Sequence, residues 1–226
     1  MTSPQHIAII CDGNRRWAKK KGKPEFTGHQ YAVQTTVENL VDHAIKLKIP
    51  YITFWFFSTD NWRRGQKWIK NYFNLFRKLI PNQTDKYIKK GAKFNTIGDL
   101  SKLPQDMQTA FKDWIKKSKD NHKITVTVAF NYGGRDEITR TVNKLIKKGQ
   151  LVSSKDITKN LDTHNLPDPD LLIRTGENNA RLSGFMLWQL AYTQLYFTNI
   201  LFPDLTPKKF DQAISWWQTQ TQNLGK

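Results

Sequence analysis

The sequence predicts an α/β protein, a single domain over residues 1–226 with a mainly parallel central sheet flanked by helices. Two observations carry this expectation. Short, near-continuous apolar runs alternate with helical stripes almost throughout, the pattern of strands buried on both faces and joined by crossover helices. No Gly/Ser-rich linker, composition break or internal repeat divides the chain, and its length supports a sizeable core.

The first strand is read over His6 to Ile10, running into a polar turn and a basic helix. Val33, Val37, Leu40, Val41, Ala44 and Ile45 recur at helical spacing, and Tyr51 to Phe57 is a second strand that ends in STDNWRR. Ile69, Tyr72, Phe73, Phe76 and Ile80 mark a helix from Gln66 to about Lys90, which Pro81 is expected to kink or split. Lys93 to Ile97 is a short strand, and Met107, Phe111, Trp114 and Ile115 form the next helical stripe. Ile124 to Phe130 is a strand, followed by the turn from Asn131 to Gly134 and a helix carrying Ile138, Val142, Leu145 and Ile146. A short helix near Ser154 to Thr163 leads to a strand over Asp170 to Ile173. Phe185 to Leu195 reads as a buried helix, Tyr196 and Phe197 as a short strand, and Pro207 to about Gln222 as the last helix.

Composition bounds the function. An apolar content of 38% with eight Trp and thirteen Phe excludes general disorder. The one cysteine, Cys11, forbids an internal disulfide and fits a reducing compartment. The N-terminal MTSPQ has neither a basic nor an apolar signal region, and no run approaches the roughly 18 apolar residues of a spanning helix. The expected location is the cytoplasm. The net charge of +17 is compatible with nucleic acid, an anionic membrane surface touched peripherally, or an anionic small substrate. Much of it is Lys on helix faces, such as Lys19 to Lys21, where ordinary solvation suffices, and a nucleic-acid partner is not expected.

Polar clusters follow the strands: Asp12-Gly13-Asn14, Ser58 to Arg64, Asn131 to Arg135, and Arg174 to Ser183. Parallel strands would bring these to one edge of the sheet. Free N–H groups at a helix start, with Arg15 and Arg16 beside them, make a receptor for phosphate or diphosphate. Gly13 allows close backbone approach. Asp12 repels an anion, unless it holds Mg²⁺ that bridges to the diphosphate. The competing reading is an N-cap Asp on a solvated basic helix. Other chemistries lack their signatures. Ser58 has no G-x-S-x-G elbow, Cys11 has no evident base, neither nucleotide-binding glycine loop occurs, and the five His have no paired zinc spacing.

The chain resembles the cis-prenyltransferase family, that of undecaprenyl diphosphate synthase and related Z-polyprenyl diphosphate synthases. The matching pieces are HIAIICDGNRRWA, Gly28-His29, FFSTDNWRR, Ile97 to Asp99, NYGGRDEI, PDPDLLIRTG, RLSGFMLWQ and LYFTNILFPD, in the family's order. The resemblance implies Mg²⁺, a homodimer or a heterodimer with a related subunit, and condensation of an allylic diphosphate with isopentenyl diphosphate. Carried over, Asp12 is the metal-site aspartate, with Ser58 and Asn61 as the other catalytic positions. Gly13, Asn14, Arg15, Arg16, Trp17, His29, Phe57, Trp62 and Arg64 fall on the allylic side, and Arg174, Arg181 and Ser183 grip isopentenyl diphosphate. No DDxxD pair is present, which argues against the all-helical trans-prenyltransferases.

Departures from the family pattern bear mainly on the isopentenyl side. Glu25 replaces a common Arg, with Lys23 near to compensate, Trp68 replaces an acidic residue, and Gln194 replaces a Glu. Arg15 replaces a common Gly. The end of the chain, from Gln220 to Gly225, lacks the usual arginines, and the loop with Glu177, Asn178, Asn179 and Ala180 is long. These changes keep two alternatives open: a divergent prenyltransferase using another acceptor or two allylic diphosphates, and a non-catalytic partner subunit. Phe56 and Phe130 stand where smaller residues are common, which suggests a short or medium product. Strand alternation leads to the expectation that Phe56 and Phe57 face opposite sides of the sheet.

Overall fold

The computed structural model describes residues 3–147, 149, 151–176 and 180–220. Six strands, all parallel, form one sheet in the order β3-β4-β2-β1-β5-β6. They are β1 His6–Ile10, β2 Tyr51–Ser58, β3 Ala92–Ile97, β4 Ile124–Tyr132, β5 Leu171–Arg174 and β6 Gln194–Phe197. The helices are α1 Asn14–Lys20, α2 Thr27–Tyr31, α3 Val37–Lys46, α4 Gln66–Lys89, α5 Gln105–Ser118, α6 Gly134–Ile146, α7 Ser154–Asn160 and α8 Pro207–Gln218. A π-helical turn, Ala32–Thr36, joins α2 to α3.

Parallel strands cannot leave a face to water, because their crossovers put helices on both sides. One face packs Ile7, Ile9, Ile52, Phe54 and Ile173 beneath the apolar stripes of α3, α4, α5 and α8. The other packs Ala8, Ile10, Ala129, Tyr132 and Leu172 against Phe185, Met186 and Leu190.

The β2–β4 register slips twice near its carboxyl end. Trp55 pairs Ala129, Phe57 pairs Phe130, and Ser58 pairs Tyr132, so Phe56 and Asn131 are each the extra residue of a bulge. Asn131 takes the left-handed conformation, φ 48°. The bulge breaks strict alternation. Phe54, Phe56 and Phe57 all join the helix-covered core of α4, and only Trp55 turns to the other face. The expectation that Phe56 and Phe57 point apart is corrected by this one inserted residue.

Three further expectations are corrected. Pro81 does not split α4: Pro81 and Arg77 are both exposed, so water can serve the Arg77 carbonyl that the missing N–H leaves unbonded. Residues 185–195 form turns and then β6, not a buried helix; Ser183, Gly184 and Met186 all have positive φ, which no α-helix admits. The last helix stops at Gln218. Residues 221–226, and Glu177, Asn178 and Asn179 of the long loop, lie outside the described residues.

His6, at the start of β1, is fully buried, with Nδ1 2.7 Å from the Pro167 carbonyl and Nε2 2.8 Å from Thr53 Oγ1. Burial pulls its pKa from 6.5 down to about 4. The unfolded chain then binds the proton more readily, so stability should fall as pH drops from about 6.5 toward 4 and be complete above that window. The loss is on the order of 3 kcal/mol at the low end. His29 is shifted the same way. Unfolding free energies of wild type and His6→Gln between pH 7 and pH 4 should therefore differ in slope, the variant flatter but not flat. Equal slopes would contradict the assignment.

Candidate active site

The carboxyl ends of β2, β1 and β5 open onto a cavity of about 770 Å³. Its floor begins at Asp12. Gly13, with φ 103°, turns the chain from β1 into α1. A side chain there would be strained, and its Cβ would meet Leu201 at 2.8 Å. The same turn leaves the N–H groups of residues 14–16 ahead of the first α1 bond, Trp17 N–H to the Gly13 carbonyl.

Asp12 is not a helix cap. Its Oδ1 accepts from Gly13 N–H at 2.6 Å and from Arg16 Nη2 at 3.3 Å, while Oδ2 faces Arg174 Nη2 at 3.4 Å. Thr175 holds the backbone from below, accepting from Asp12 N–H at 3.1 Å, with its Oγ1 2.9 Å from the Asp12 carbonyl. Gly176, φ 71°, lets Arg16 approach; a Cβ there would lie 2.7 Å from Arg16 Nη2. One carboxylate thus stands between a guanidinium group of α1 and one at the end of β5, and its side chain keeps 39% exposure.

Arg174 ends β5 and is nearly buried. Its Nη1 donates to the Arg181 carbonyl at 2.5 Å and to Ser183 Oγ at 2.8 Å. This ties Ser183, which lines the cavity, to the Asp12 side. The Arg181 side chain is exposed and does not line the cavity.

The β2 end supplies Ser58, Asn61 and Arg64. Asn61 Oδ1 accepts from Ser58 N–H at 3.0 Å, fixing the 3-10 turn Thr59–Arg64. All three line the cavity, as does His29. Burial, then Arg64 and Arg15, pull the His29 pKa down to about 4, so the ring is neutral at pH 7. His29 Nδ1 and Asn14 Oδ1 are buried without a hydrogen-bond partner among the described residues, both at the cavity wall. Asn14 Nδ2 is committed to the Cys11 carbonyl at 2.8 Å.

The cavity therefore collects Asp12, Gly13, Asn14, Arg15, Arg16, His29, Ser58, Asn61, Arg64, Arg174 and Ser183. Trp17, Phe57 and Trp62 do not line it. Trp17 bonds Asp204 Oδ1 at 2.8 Å and fastens α1 to the turn after β6. Phe57 is fully buried, stacked 5.2 Å from Phe130. Trp62 donates to Asn131 Oδ1 at 2.7 Å, so Asn131 of the third polar cluster braces the β2 turn. Phe130, like Phe57, is core.

Sequence reasoning did not single out which residues line the apolar half: Trp55, Tyr72, Leu75, Phe76 and Phe202, together with Ala32 and Val33. The α4 members share one helix face (i, i+3, i+4), which looks the same in sequence whether it meets core or cavity. Glu25 and Trp68, two of the departures, touch each other: Trp68 Nε1 donates to Glu25 Oε1 at 2.8 Å, and Arg15 Nε lies 2.7 Å from the same oxygen. Gln194 lies at the amino end of β6 and does not line the cavity.

Residues 10–225 match the prenyltransferase family described as undecaprenyl diphosphate synthase. An isoprenyl transferase of Fusobacterium nucleatum is 38% identical over 223 residues, 98% of this chain and 96% of that one. One from Clostridium perfringens is 39% identical over 230 residues, 98% and 90% of the two chains. Among solved structures, lavandulyl diphosphate synthase from Lavandula x intermedia, in complex with dimethylallyl diphosphate, superposes with a TM-score of 0.91 at 30% identity, covering 99% of both chains. A probable undecaprenyl diphosphate synthase from Campylobacter jejuni superposes at 0.84 with 31% identity over 100% of both.

Proposed function

Because the chain belongs to the undecaprenyl diphosphate synthase family and is thus an isoprenyl transferase, we propose that it condenses an allylic diphosphate with isopentenyl diphosphate to a short or medium Z-prenyl diphosphate. The observation that carries this reading is Asp12 at the seam of two basic clusters, above an apolar cavity. One cluster, with Asn14, Arg15, Arg16, His29 and Arg64, suits the allylic diphosphate. The other, with Arg174 and Ser183 lining the cavity and the exposed Arg181 tied to Arg174 through its carbonyl, suits the second diphosphate.

Asp12 fits Mg²⁺. It offers hard oxygen ligands whose arginine contacts are long, and the described residues hold no cluster of three His, Cys, Asp or Glu that would form a complete protein cage. A single carboxylate with substrate oxygens is a usual Mg²⁺ arrangement. When bound there, the ion supplies electrostatic stabilisation of the departing diphosphate. Arg16 and Arg64 add charge-assisted hydrogen bonds to the same group. Neutral His29 contributes a hydrogen bond rather than a charge. Phe56, Tyr72 and Phe76 keep the allylic cation and the incoming double bond away from water.

Action as a homodimer is in keeping with the exposed Tyr192 and Leu195 beside and on edge strand β6. A cytoplasmic site suits the free Cys11 thiol. Exposed Lys19 and Lys23 at the cavity rim suit peripheral contact with anionic lipid. No described helix is long and apolar enough to cross a membrane.

Purified protein with Mg²⁺, an allylic diphosphate and labelled isopentenyl diphosphate should yield a longer Z-isoprenoid; no turnover with any starter would sink the reading. Arg181→Ala should raise KM for isopentenyl diphosphate at least tenfold more than KM for the starter. Equal effects would contradict the division of sites. The carboxylate of Glu25 in the cavity lining, which weakens an anion receptor there, favours a second reading, two allylic substrates. Dimethylallyl diphosphate supplied alone, with mass-spectrometric product analysis, separates the two.

A further inference from the structure

Glu25 lies on the connector between α1 and α2, Trp68 on the first turn of α4, and both line the cavity. A carboxylate here weakens an anion receptor, and Glu25 also occupies Arg15. What it gains is the Trp68 N–H, bonded at 2.8 Å. The indole is held elsewhere too. It stacks on Tyr72 with centroids 5.0 Å apart and planes at 12°, touches Phe26 at 5.8 Å, and has the Arg64 guanidinium 4.6 Å from its ring. A ring restrained at its polar edge and its face has little freedom to swing aside.

Trp68 also stands where the charged half of the cavity passes into the apolar half. Glu25 and Arg64 of the charged lining contact it, and Tyr72, Leu75 and Phe76 of the apolar lining follow it along α4. A tail that runs from the charged half toward Tyr72 and Phe76 passes this ring. From Trp68 to Phe76 the helix advances about 12 Å, and there Phe76 meets Phe56 with centroids 5.7 Å apart.

We propose that Trp68 is a specificity-determining residue that restricts the cavity to allylic diphosphates with short tails, and that Glu25 is the positioning residue that pins its ring. This assignment rests on the prenyltransfer reading. The charge of Glu25 is incidental to the selection; its oxygen is the working part.

The test compares dimethylallyl and farnesyl diphosphates, each by kcat/KM and by calorimetric binding in the presence of Mg²⁺ without a second substrate. Trp68→Ala and Glu25→Ala should each raise the farnesyl-to-dimethylallyl ratio by about tenfold or more. Trp68→Phe, which keeps a ring but loses the N–H, should shift it less. Glu25→Gln retains an oxygen for the indole, so it should hold the wild-type ratio while tightening both ligands. Glu25→Ala and Trp68→Phe carry the test if Trp68→Ala fails to fold. A ratio unmoved by these variants would overturn the proposal, and so would Glu25→Gln shifting it as far as Glu25→Ala. Wild type that neither binds nor turns over any allylic diphosphate would overturn the prenyltransfer reading, and this assignment with it.

Discussion

Asp12→Ala is expected to lower turnover by at least about 10³-fold while leaving the fold intact. The carboxylate is partly exposed, and its backbone is held independently by Thr175 and by Phe202 N–H on the Asp12 carbonyl, so little stability rests on the side chain. Its loss has two opposite consequences. Without Mg²⁺, removing a negative charge from between Arg16 and Arg174 should leave diphosphate affinity equal or higher, because the carboxylate repels the anion and competes for both guanidinium groups. With Mg²⁺, wild type should bind the allylic diphosphate more tightly and the variant should not respond. Titration of an allylic diphosphate with and without Mg²⁺, beside steady-state turnover, checks both. A variant that keeps its Mg²⁺ response would remove Asp12 from the metal site. Uniform loss of affinity in the absence of metal would show that the residue serves packing instead.

Phe56→Ala should lengthen the product by at least one isoprene unit. The Phe56 ring lines the cavity and packs on Phe54 at 5.9 Å and Phe76 at 5.7 Å, and its carbonyl accepts from the Tyr72 hydroxyl at 2.7 Å. A tail that reaches this pair can go further only by displacing a ring in a close-packed wall. That costs about 1–3 kcal/mol, which slows each further extension by about 5- to 150-fold. Alanine removes the obstacle but keeps the carbonyl that Tyr72 uses. Phe130→Ala is the control, because Phe130 is fully buried behind Phe57 and Phe76 and should cost stability before it alters length. Chromatography of the dephosphorylated products gives the distribution. An unchanged length in Phe56→Ala would place the stop at another wall.

The main elements of the sheet were legible because they obey local rules. His6–Ile10 and Tyr51 to Phe57 are near-continuous apolar runs, and α5 and α6 repeat their apolar residues at helical spacing. Local rules failed where a distant partner decides. Residues 185–190 have the composition of a helix, yet they lie as turns. Gly184 hands its carbonyl to Gly134 N–H, and Gln189 Nε2 bonds the buried Glu137 and Thr163. Asn131 has the composition of a site residue, yet it braces Trp62 and the Asp99 carbonyl.

The sequence by itself determined the parallel α/β class, the strand ends that carry polar residues, and the basic, glycine-led turn from Asp12 to Arg16. Each follows from periodicity, or from the chemistry of neighbouring residues, which short-range sterics and solvation enforce. Only the tertiary structure decided which aromatics face the cavity, that one bulged residue puts Phe56 and Phe57 on the same side, and that Glu25, a charge misplaced when read alone, answers the N–H of Trp68. Those outcomes depend on contacts between residues far apart in the chain, such as Glu25 with Trp68 and Phe57 with Phe130, whose pairing is set by how helices settle on the sheet and strands on one another. No local pattern encodes them.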